Sequence, residues 1–179
     1  MITKKVNTEF ISQMVEEQAW KTLSENFLWT EALLEKYQDE VNWNRVSYNS
    51  RILWTVPMLD RFKERINWNI LSGSENKTAF SFDNLEQYKD YWDWITLSES
   101  QALNFSYEII DRFVDRWNWN RLIHNHHAKN CVPFNEFFLN RYSDFIPMSA
   151  FHDSYLESCM VEEQTEKLSA MILRKSADG

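Results

Sequence analysis

The sequence predicts an all-α fold: a short α-solenoid of about six helical-hairpin repeats, closed by a C-terminal capping helix. Three observations carry that prediction. Only two glycines and three prolines occur in 179 residues, too few for a turn-rich β architecture. A gapless motif recurs along the chain with a period of about 25 residues. Within each copy, residue types that cap helices stand just ahead of apolar residues at helical spacing.

The copies are "WTEALLEKYQDEVNWNRVSYN" (29–49), "WTVPMLDRFKERINWNILSGS" (54–74), "FSFDNLEQYKDYWDWITLSES" (80–100) and "FSYEIIDRFVDRWNWNRLIHN" (105–125). A further copy, 134–154, keeps the first half and loses the second tryptophan; a degenerate copy at 8–26 ends on the same Trp-x-x-Leu-Ser-x-Asn pattern. Residues 155–175 form a last periodic stretch, expected to shield the apolar end of the stack. A chain of this length can bury its own core, so 1–179 reads as a single domain. The hand of the solenoid stays open.

Each copy holds two helix starts. The first places Thr30, Thr55, Ser81, Ser106 or Asn135 at the N-cap, where a side-chain oxygen can accept a free N–H of the first turn. An aromatic precedes each cap (Trp29, Trp54, Phe80, Phe105, Phe134) and an aliphatic follows it four residues on (Leu34, Leu59, Leu85, Ile110, Leu139), the pairing of a hydrophobic staple. The second start repeats the device with Asn42, Asn67, Asp93 and Asn118 as caps. Val41 then staples to Val46, Ile66 to Leu71, Trp92 to Leu97 and Trp117 to Leu122. Tyr37, Phe62, Tyr88, Phe113 and Tyr142 share a helical face with the first-helix aliphatics and are expected to pack toward the next unit. All nine tryptophans fall on repeat positions, which assigns them to the core rather than to an aromatic binding surface.

Composition narrows the function. Net charge is −8, which disfavours binding to bare nucleic acid. Residues 75–111 carry eight acids against Lys77 and Lys89, while the flanking stretches 41–74 and 112–141 are basic. This segregation points to a protein partner with a basic surface, docked through Asp83, Glu86, Asp90, Asp93 and Glu99. The alternative is a nucleic-acid contact through Arg112, Arg116, Arg121, Lys129 and Arg141. Cys131 and Cys159 lack any CxxC spacing, so a reducing compartment is the default. The N-terminus shows no apolar export segment and no stretch could span a membrane, so a cytoplasmic location is expected.

One cluster invites chemistry. His124, His126, His127 and Cys131 could ligate a metal, and the last three lie in the longest connection between copies, "HHAKNCVP" (126–133). Their spacing matches no zinc signature. Arg121 and His126 make the R-x4-H spacing of HEPN-type ribonucleases, but Leu122 stands where those enzymes carry a polar residue, and a second such copy is missing. No GxSxG, P-loop, GxGxxG or HExxH occurs. The expectation is a chain that is not an enzyme and takes no cofactor or metal.

The W-N-W-x-x-L-S unit, spread over residues 8–154, resembles the short Trp-rich helical repeats of bacteriophage, giant-virus and bacterial proteins. That resemblance implies a phage or mobile-element accessory protein acting in the host cytoplasm. Small acidic proteins of that sort often inhibit host defence complexes such as CRISPR effectors, so by analogy the resemblance also implies an anti-defence, anti-CRISPR-like inhibitor.

Overall fold

The structure, a computed structural model, describes residues 7–177. Part of the N-terminal stretch read for an export segment lies outside them. Among the described residues there are thirteen helices and no strand. The chain divides into two compact units, Met1–Trp92 and Asp93–Gly179. In a repeat array each copy touches chiefly its neighbours, so packing within each unit is local.

The first unit holds α1 (Thr8–Asn26), α2 (Glu31–Lys36), α3 (Trp43–Tyr48), α4 (Val56–Phe62), α5 (Trp68–Ser72) and α6 (Phe82–Gln87). Within it α3 packs on α1, α5 on α3 and α6 on α4. The second unit holds α7 (Trp94–Ser98), α8 (Tyr107–Arg112), α9 (Trp119–Ile123), α10 (His126–Cys131), α11 (Glu136–Tyr142), α12 (Met148–Phe151) and α13 (Tyr155–Ala177). Within it α9 packs on α7, α12 on α9 and α13 on α10.

The helix starts follow the capping logic. Thr30, Thr55, Ser81, Ser106 and Asn135 each accept the N–H three residues on, and Asn42, Asn67, Asp93 and Asn118 do the same for the second helices. Each such cap contributes about 0.5–2 kcal/mol, which matters for helices this short. The staple residues Trp29, Leu34, Val41, Val46, Ile66, Leu71, Trp117 and Leu122 are all buried.

Two expectations change. The copy at 8–26 is one continuous helix, because Ala19 stands where the other copies carry a capping Asn or Asp and cannot stop the chain. The connection at 126–133 is itself mostly helix: the Asn125 side chain accepts the N–H groups of His127 and Ala128 and starts α10. The expected helix total is met for a different reason, with one helix fewer at the start and one more in the connection.

Neighbouring copies are joined by a side-chain rung. Ser24 and Ser47 donate their hydroxyls to the carbonyls of Trp20 and Trp43 at 2.6 and 2.7 Å, and accept the backbone N–H of Asn42 and Asn67, both at 2.9 Å. Ser98 in the second unit does the same with Trp94 and Asn118. In the last copy the receiving position is Pro147, which has no N–H, and the serine position before it is Ile123. Asn49, Asn76 and Asn125, also buried, donate their amides to carbonyls of the preceding copy.

An aromatic ladder runs beside the rungs. The tryptophan at the second-helix position of each copy meets the first-helix aromatic of the copy that follows: Trp20 with Tyr37, Trp43 with Phe62 and Trp68 with Tyr88 in the first unit, Trp94 with Phe113 and Trp119 with Tyr142 in the second. Ring centroids lie 4.8–5.8 Å apart. Tyr37 and its equivalents therefore reach back toward the preceding copy rather than forward. The last copy has no successor, and Met148 replaces the tryptophan there, 87% exposed.

Candidate functional site

The residues singled out for chemistry gather around α10, but only some of them meet. A polar groove of about 660 Å³ is lined by Glu99, Gln101, Asn120, Arg121, His124, Asn125, His126 and Tyr155. Each of its rings is already engaged. His124 Nδ1 donates to the Asn120 carbonyl at 2.7 Å, and His126 Nδ1 accepts the Asn130 amide at 3.2 Å. The His126 ring meets Tyr155 edge-on at 5.4 Å, and Lys129 Nζ stands 5.7 Å from the same phenol ring.

His127 turns the other way. Its Nε2 donates to the Leu103 carbonyl at 3.1 Å, its ring lies against Phe105, and Cys131 Sγ is 3.6 Å from that nitrogen. His124, His126, His127 and Cys131 thus fail to converge on one point. Both cysteines are free thiols.

Donor atoms converge elsewhere, at His152, Asp153 and Glu157, which lie within 4.8 Å of one another. Helix capping accounts for them. Ser154 accepts the Glu157 N–H at 3.0 Å while Glu157 Oε2 accepts the Asp153 N–H at 2.6 Å, a reciprocal pair that starts α13. His152 Nδ1 stands 3.2 Å from Glu157 Oε1. The hydrogen bond to Glu157, helped by the charge of Asp153, raises the His152 pKa, and the Asp153 N–H together with His152 lowers that of Glu157. Asp153 closes the turn in the left-handed region, φ 62°, which a short polar side chain tolerates. The sequence signal was available as the Ser-x-x-Glu box of "SYLE".

The expected acidic surface is divided among structural tasks. Asp83 and Asp90 are exposed, and half-buried Glu86 has Lys89 Nζ at 3.9 Å. Asp93 caps α7 through the N–H groups of Ile95 and Thr96 and the Thr96 hydroxyl. Glu99 is ion-paired with Arg121. That pair repeats one between Glu25 and Arg45 at 2.8 Å, at equivalent positions of two successive copies. Where Tyr48 replaces the acid, Ile70 replaces the arginine.

The basic residues follow the same pattern. Arg141 grips Asp111 through Nε at 2.9 Å and a terminal nitrogen at 2.5 Å, and the Tyr142 hydroxyl donates to the same carboxylate at 2.8 Å. The Arg141 hydrogen bonds hold Asp111 below the usual carboxylate range, and burial raises Tyr142. Arg61 bridges Glu31 and Glu35, and Arg65 pairs with Asp39. Arg112 and Arg116 are exposed, and Lys129 is half-buried beside Tyr155.

The sequence reading missed two apolar faces on the terminal helices. No residue of α1 from Thr8 to Ala19 is buried, and Phe10, Ile11, Met14 and Val15 share one of its faces, Phe10 60% and Val15 64% exposed. On α13, Val161, Leu168 and Ile172 are likewise exposed. The last helix therefore covers the array only through its first turns, where Leu156 is fully buried. No helix among the described residues is long and apolar enough to cross a membrane. No protein-family model, curated protein or solved structure matches the chain.

Proposed function

We propose that this chain is a non-catalytic helical-repeat protein that binds another protein through the apolar face of α1. The carrying observation is that Phe10, Ile11, Met14 and Val15 stand exposed together on a helix that buries nothing over its first three turns, while the repeats beside it fill their own interior. A surface of that kind matches an amphipathic helix entering an apolar groove, read by anchors one turn apart. Glu17 borders the stripe one turn after Met14, while Glu9 and Glu16 lie on the opposite side of the helix and keep that side polar.

The ion pairs of Arg121 and Arg141 and the separate engagements of the histidines favour this reading over phosphate binding or metal chemistry. The test is comparative affinity capture from the native host with mass spectrometry. A Met14→Glu/Val15→Glu double variant is expected to fold normally and lose the proteins that the wild-type chain captures. An Asp83→Lys/Asp90→Lys variant is expected to keep them. The same set captured by the α1 variant removes this face, and a salt-sensitive shift of nucleic acid by the wild-type chain replaces the reading altogether.

A further inference from the structure

We infer that the outer face of α13 is a self-association surface that pairs antiparallel with α13 of a second copy of this chain. Val161, Thr165, Leu168 and Ile172 follow one another at spacings of four, three and four residues, the seam of a two-helix coiled coil. Val161 is 60%, Leu168 45% and Ile172 62% exposed, and Thr165 is exposed too, its hydroxyl turned back to the Val161 carbonyl at 2.7 Å. The opposite side of the helix carries its intramolecular contacts. Leu156 is buried there, and Lys167 reaches Glu136 of α11 at 3.7 Å. The seam therefore faces away from the body of its own unit.

Charge selects both the occupant and its direction. Acids lie toward the start of α13 (Glu157, Glu162, Glu163, Glu166), while Arg174 and Lys175 lie in its last turn. In an antiparallel pair that sets Val161 against Ile172, Thr165 meets Leu168, and Lys175 arrives within one residue of the partner's Glu157. In a parallel pair the seam continues into Lys175 against Lys175, and Glu157 faces Glu162. Opposite charges at the ends and uncharged layers between them occur only in the antiparallel arrangement. A second copy supplies that complement without further assumption, because the interface is isologous.

The experiment is sedimentation equilibrium on the full chain over a wide concentration range. The expected mass rises to twice 21.7 kDa. Leu168→Glu/Ile172→Glu is expected to return it to the monomer with helicity unchanged by circular dichroism. Direction is read by oxidising a mixture of two single-cysteine chains, Val161→Cys and Ile172→Cys, each with Cys131 and Cys159 replaced by serine. The mixed disulfide is expected to predominate. A wild-type chain that stays monomeric at every concentration, or a double variant that remains dimeric, overturns the surface; predominant homodisulfides overturn the antiparallel direction. The α1 variant of the binding test is expected to dimerise normally, so loss of one result leaves the other standing.

Discussion

The Ser47 hydroxyl accepts the Asn67 N–H at 2.9 Å while donating to the Trp43 carbonyl at 2.7 Å, tying two copies through one buried oxygen. Ser47→Ala deletes the acceptor and leaves an amide without a partner, which costs about 1–3 kcal/mol. The expected drop is measured by urea unfolding, with Ser98→Ala giving a similar loss. Ile123→Ser gains nothing, because Pro147 offers no N–H, and it forfeits a fully buried side chain.

Two tryptophans in the same repeat position separate hydrogen bonding from packing. The Trp29 indole donates to the Leu23 carbonyl at 3.0 Å, whereas the buried Trp54 N–H, like the Asn84 side-chain oxygen, has no partner among the described residues. Trp29→Phe is expected to lower stability by about 1 kcal/mol. Trp54→Phe removes an unsatisfied donor, so its melting temperature is expected to hold or rise. Thermal melts of the two variants side by side decide it.

His127 is a structural residue and His126 is not. Replacing His127 with alanine removes the bond to the Leu103 carbonyl and the ring contact with Phe105, an expected loss of about 1–3 kcal/mol. His126→Ala is expected to stay within about 0.5 kcal/mol of wild type, since its ring is exposed. Equal losses at both positions contradict the division of roles.

The start of α13 responds to pH on both sides. His152 is raised above 6.5, so its stabilising charge is fully present below that pH and is lost as pH climbs through the higher folded-state value. Glu157 is held below 4.5, so its contribution is complete above that pH and is lost as pH falls through the lower folded-state value. The cap is expected to be firmest between pH 4.5 and 6.5. Amide exchange in the first turn of α13 should show that window, and His152→Ala should flatten its alkaline side. Both side chains reach solvent, so added salt should shrink the effect.

The caps and staples were legible because their parts lie within five residues of one another. The rung was not: Ser47 recurs visibly as part of the motif, yet its partner Asn67 is twenty residues away and nothing local names it. One charge pairing was hidden for the same reason. Summing acids over 75–111 described a surface, whereas setting Glu99 beside Arg121 one period later describes an ion pair. In "NHHAKNC" the histidines drew attention from Asn125, whose capping oxygen makes the segment a helix. The exposed stripe of α1 escaped because an amphipathic pattern reads alike whether or not something covers it.

Ile123 suits only a successor that opens on Pro147, whereas Ser47 would serve any copy that opens on a residue with an N–H. For this one contact the interior copies are interchangeable, since a whole period gained or lost there leaves the Ser47 hydroxyl supplied with an amide. At the C-terminal end the same event sets an aliphatic side chain against an amide, or a hydroxyl against a proline ring. The final copy and the one before it are thus matched to each other in a way that the earlier copies are not.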